Sequence, residues 1–107
     1  MARYILIDNY TGYVFGDTAD YLGGRSVSPV EAARELDAHI GGRNCDYEEQ
    51  PASYRPASNE SAYIVYRADI DGSEAVPVVH DGQDQETIEA VERECDLVAV
   101  ILCPERY

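Results

Sequence analysis

A chain of 107 residues supplies one domain's worth of core and not two. Its 21 Asp and Glu face 8 Arg and no Lys, for a formal net charge of −13, which excludes an overall field that attracts nucleic acid or an anionic membrane. No apolar run approaches the ~20 residues of a transmembrane helix.

The run Tyr4-Ile5-Leu6-Ile7 reads as a buried strand, and it follows the initial Met so closely that no signal peptide is expected. Asp8 to Gly12 carry turn chemistry, and Tyr13-Val14-Phe15 return as a second strand, completing a hairpin. Gly23-Gly24 punctuates the loop that follows. Ser28-Pro29-Val30-Glu31 is a helix start: Ser28 as N-cap, Pro29 at the first helical position, Glu31 closing a capping box. Ala33, Leu36 and Ile40 form an apolar stripe and Gly41-Gly42 stops the helix, which predicts a helix over 29–40.

Residues 43–60 show neither helical nor strand periodicity, and Pro51 and Pro56 argue against a continuous helix or a central strand. A connection of that length is the first place to look for a site. From Ala62 to Ile70 apolar residues alternate as in a strand, Asp71-Gly72 signals a hairpin, and Ala75-Val76-Pro77-Val78-Val79 returns. Pro77 cannot donate to a ladder, so 75–79 is expected at a sheet edge or to carry a bulge, and an edge there would offer a homodimer contact. Asp84 is a candidate N-cap for a second helix carrying the stripe Ile88, Val91 and Cys95. Leu97 to Leu102 are apolar throughout, as in a central strand, and Pro104 stops them.

The order β-β-α-β-β-α-β describes a single α+β domain over 1–107. Without its first strand it is the split β-α-β-β-α-β arrangement of ferredoxin-like folds. The expectation is therefore a ferredoxin-like sheet with an extra N-terminal strand and both helices on one face.

The charge is concentrated. Residues 1–45 hold six acids and four Arg, whereas residues 46–107 hold fifteen acids and four Arg. Within 81–96, Asp81, Asp84, Glu86, Glu89, Glu92, Glu94 and Asp96 face only Arg93. A second patch is Asp46-Tyr47-Glu48-Glu49. Two unit charges ~7 Å apart in water repel by about 0.6 kcal/mol before screening, a penalty that interspersed Lys would relieve. One reading is a solubilising face. The other is a surface that offers carboxylates to a basic partner where phosphates would otherwise sit. Nine Tyr, one Phe and no Trp add a second bias, since Tyr is enriched at interfaces. Tyr47 and Tyr54 fall in the irregular stretch beside the acids, whereas Tyr4, Tyr63 and Tyr66 read as strand residues.

Signatures of chemistry are sparse. His39 and His80 read as structural. Cys45, Cys95 and Cys103 lack the paired spacing of a zinc site, and their odd number fits a reducing cytoplasm better than a disulfide framework. Asp69 to Glu74 fails the calcium-loop spacing and reads as a hairpin turn. No phosphate loop, G-x-G-x-x-G or G-x-S-x-G is present. No catalytic residue, cofactor or metal ligand is assigned; a weak hard-cation site at Asp81, Asp84 and Glu86 is the minor alternative.

The segments 4–17, 28–34, 66–76 and 81–88 resemble small uncharacterised acidic proteins carried by bacterial plasmids and phages. Such proteins include inhibitors of restriction and CRISPR systems; that likeness is one of size and charge and transfers no binding residue. The resulting expectation is a non-enzymatic, cytoplasmic binding protein that blocks a basic nucleic-acid-binding surface of a partner protein. It would touch neither nucleic acid nor membrane itself. The expected contact residues are Asp46, Tyr47, Glu48, Glu49, Tyr54, Asp81, Asp84, Glu86, Glu89 and Glu92. The alternatives are an immunity or antitoxin-like protein capping a basic toxin, and a structural domain with no ligand.

Overall fold

The computed structural model describes residues 3–21, 28–40, 46–68 and 85–103. In chain order these form β1 (Tyr4–Asp8), β2 (Val14–Asp17), the single turn α1 (Thr18–Tyr21), α2 (Pro29–Ile40), β3 (Glu48–Pro51), β4 (Ala62–Arg67), α3 (Gln85–Glu94) and β5 (Asp96–Leu102). The protein is α+β, built on a five-stranded sheet of order β2-β1-β4-β5-β3 in which every neighbouring pair is antiparallel.

Successive strand residues face opposite sides of a sheet, and β1 is apolar at Tyr4, Ile5, Leu6 and Ile7, so both of its faces need a cover. On one face Tyr4, Leu6, Tyr63, Val65, Ala99 and Ile101 pack under Ala32, Ala33 and Leu36 of α2. Phe15 joins this core, its ring stacked on Tyr63 with centroids 4.5 Å apart. On the other face Ile5, Ile7, Val14, Ile64 and Tyr66 pack with Ile88, Val91 and Cys95 of α3 and the residue after it. The two main helices therefore lie on opposite sides of the sheet. This corrects the expectation of both helices on one face, and the cause is the double-sided apolar character of β1 and β4.

The element order also departs from β-β-α-β-β-α-β. The stretch expected to be irregular contains β3, which pairs with β5 through Glu48 with Leu102 and Pro51 with Ala99. Among the described residues β3 lies at the edge of the sheet, where the missing donor of Pro51 costs no central ladder bond. The return strand expected at 75–79, with its candidate homodimer edge, lies outside the described residues, as do 69 and 70 at the end of the expected fourth strand.

Local signals behave as their chemistry dictates. Ser28 Oγ accepts the Glu31 amide at 3.3 Å, capping α2, and Glu31 pairs with Arg34 at 2.7 Å along its first turn. At the β2–α1 junction the buried Asp17 accepts the Ala19 amide at 2.9 Å and binds Arg3 Nη2 at 2.6 Å. Thr18 Oγ1 accepts the Tyr4 amide at 3.0 Å, tying the start of the chain to that junction.

Candidate interaction surface

Ile88 and Val91 bury one stripe of α3 against the sheet, which turns the opposite stripe outward. Glu86 and Glu89 are exposed on it; Glu92, four residues after Ile88, is exposed at the border of the buried stripe, and Glu94 and Asp96 follow. Arg93, the one cation of the helix, donates from Nε to Glu94 at 3.1 Å. Glu86 sits in the first turn, where the helix dipole favours it, but Glu92 and Glu94 sit in the last, where it does not. Fold stability alone therefore does not favour this distribution. Asp81 and Asp84 lie outside the described residues.

Cys95, the residue after α3, lies within electrostatic reach of Arg3 and Asp17. Burial pushes the Cys95 thiol upward, with the nearby Arg3 charge partly offsetting it and Asp17, Asp96 and Glu94 adding to it. Burial likewise raises the Tyr66 phenol, helped by Glu92 and Cys95. Cys95 and Cys103 are both buried thiols, in the environment of inert core cysteines.

The second acidic segment is at the far edge of the sheet. Asp46, Glu48 and Glu49 are exposed. Glu49 pairs with Ile101, a residue of the α2 face, so it shares that face; Glu48 points to the α3 side. The structure thus gathers Glu86, Glu89 and Glu92 on one helix and divides the two glutamates of β3 between the faces.

The two tyrosines grouped with these acids are half-buried. The Tyr47 hydroxyl donates to Asp37 Oδ2, and its ring packs on the α2 core. The Tyr54 hydroxyl donates to both carboxylate oxygens of Glu60, at 3.2 and 3.0 Å. That hydrogen bond, with the charges of Glu60 and Glu48, raises the Tyr54 phenol. Both polar tips are thus engaged within the fold.

Asp37, unremarked by sequence reasoning, is 3% exposed and accepts hydrogen bonds from Tyr47 and from the fully buried Tyr63, the latter at 2.9 Å. Its signal was available: it follows Ala33 by four residues, a polar group on the apolar stripe of α2. Among the described residues no three His, Cys, Asp or Glu converge as a metal site, and no helix is long and apolar enough to cross a membrane. No protein-family model matches the chain, and no curated protein or solved structure matches it significantly.

Proposed function

We propose that this chain is a non-enzymatic acidic binding protein of the cytoplasm that occupies a basic, nucleic-acid-binding surface of a partner protein, in the manner of an anti-CRISPR or anti-restriction inhibitor of a mobile element. One observation carries the reading. Glu86, Glu89 and Glu92 stand exposed on a single helix fastened by a buried stripe, and the helix's only arginine is directed at Glu94. Regularly spaced carboxylates on a rigid element present a fixed negative surface to a cationic groove, steering encounter and setting register. With −13 in 107 residues, the rest of the chain reinforces that field. Asp46, Glu48 and Glu49 add to it from the sheet edge.

The test is capture from a bacterial host lysate with tagged wild type and with the triple variant Glu86→Gln, Glu89→Gln, Glu92→Gln. A basic nucleic-acid-binding protein should be retained by wild type and lost by the variant, and adding wild type should displace nucleic acid from it. Retention that is indifferent to the three substitutions, or a captured protein that still binds nucleic acid at saturation, would overturn the proposal. A captured basic toxin would assign the chain to the immunity class instead.

A further inference from the structure

The β1–β2 hairpin tip is built by Asp8, Asn9, Thr11 and Gly12; the two residues that leave their side chains out of that work are both tyrosines. Asp8 Oδ1 accepts the amides of Tyr10 and Thr11 at 2.8 and 3.3 Å. The Asp8 backbone accepts Gly12 N at 2.8 Å and donates to Tyr13 O at 2.9 Å. Thr11 Oγ1 accepts the Tyr13 amide at 3.2 Å, and Gly12 takes the left-handed φ of 77° that the reversal requires. Asn9 fastens the tip to the next loop: its amide donates to Ala62 O at 2.9 Å, and its Nδ2 to Ala57 O and Glu60 O, both at 2.9 Å.

Tyr10 is 72% and Tyr13 55% exposed, and neither belongs to a core cluster. Single exposed apolar side chains are ordinary. Here, of the three exposed large hydrophobics among the described residues, two fall within four positions on one immobilised turn, and the third is Leu97. Aromatic rings on a pre-ordered loop provide large contact area at little further cost in conformational entropy.

We propose that the hairpin tip is a contact platform for arginine side chains of a basic protein, with Tyr10 and Tyr13 stacking on guanidinium groups. The inference rests on the reading of a basic partner and adds to it the class of side chain that is recognised. Charge selects the occupant. A phenol ring face carries a negative quadrupole that attracts any cation, and arginine adds to this the flat stacking of its guanidinium, which the compact, strongly hydrated ammonium of lysine lacks. Nucleic-acid bases also stack on tyrosine, and a second copy of the chain could dock there. Both are disfavoured by a net charge of −13.

The experiment titrates the full chain with oligoarginine and oligolysine peptides of equal length and with a single-stranded oligothymidylate, by calorimetry. Three variants are compared with wild type: Tyr10→Ala with Tyr13→Ala, Tyr10→Phe with Tyr13→Phe, and the triple glutamine variant. The alanine pair should weaken oligoarginine by about threefold to tenfold and oligolysine clearly less, and the phenylalanine pair should keep the arginine preference. Equal weakening of both peptides, no weakening of either, failure of wild type to bind oligoarginine, or tyrosine-dependent binding of the oligothymidylate would each overturn the platform. The triple glutamine variant separates the two readings. If it binds both peptides as wild type does while the alanine pair loses the arginine preference, the platform stands and the carboxylate surface on α3 falls.

Discussion

Replacing Asp37 by Leu should be among the more damaging single changes in the described core, and replacing Tyr63 by Phe as well should recover part of its cost. Asp37 is 3% exposed and accepts from two phenols, one of them on the fully buried Tyr63. A hydrogen bond to a charged group contributes about 1.5–3 kcal/mol net, and withdrawing an acceptor from a buried donor carries a desolvation penalty of about 1–3 kcal/mol. Two such bonds are lost, but removing the carboxylate relieves its own burial cost. The balance is a loss of about 3 kcal/mol, against a typical total of about 5–15 kcal/mol. Tyr63→Phe alone removes one donor and should cost about 1–2 kcal/mol. Replacing both Asp37 and Tyr63 by apolar groups removes the fully buried mismatch and leaves only that of the half-buried Tyr47 hydroxyl, so the double variant should be more stable than the sum of the singles implies, by at least about 1 kcal/mol. Urea unfolding followed by far-UV circular dichroism measures the full cycle. Additive losses, or a loss below about 1 kcal/mol for Asp37→Leu, would show that Asp37 and Tyr63 do not act as one buried polar unit.

Two further outcomes follow from the other buried polar groups. Asp17→Ala leaves the largely buried Arg3 guanidinium without its carboxylate and uncaps α1, so a loss of about 3 kcal/mol is expected in the same assay; a loss below about 1 kcal/mol would show that Arg3 finds water instead. The alkaline limb of stability has a definite sign. The Cys95 thiol and the Tyr66 phenol are raised in the fold above their ordinary values of 9.0 and 10.0, so the folded chain holds these protons more tightly than the unfolded one. Their contribution is complete below those ordinary values and is lost as pH climbs past about 9, so the unfolding midpoint should drop there. Cys95→Ala with Tyr66→Phe should flatten that limb, and an unchanged slope would exclude these groups as its cause.

Much of the architecture was legible in the residues that make local decisions. Ser28 caps α2 with its hydroxyl and Pro29 opens it, although the Glu31 carboxylate pairs with Arg34, and Ile88 and Val91 mark the buried stripe of α3. What was not legible depended on comparing elements. The helices take opposite faces because β1 and β4 are apolar on both, a signal present in Tyr4-Ile5-Leu6-Ile7 that the fold analogy overrode. β3 has no apolar alternation of its own, since Glu48, Glu49 and Pro51 are exposed at an edge; its pairing is supplied by β5. In the candidate site the exposed carboxylates of α3 follow from helical periodicity. The engagement of Tyr47 with Asp37 and of Tyr54 with Glu60 is tertiary, and no spacing announces it.

If negative charge on α3 drives encounter with a basic partner, the association rate of the captured partner, followed by stopped flow, depends steeply on salt. Between about 50 and about 300 mM salt the rate for wild type should fall by about tenfold or more, and the triple glutamine variant should lose a large share of that dependence. A wild-type rate that stays level across the range would contradict the account.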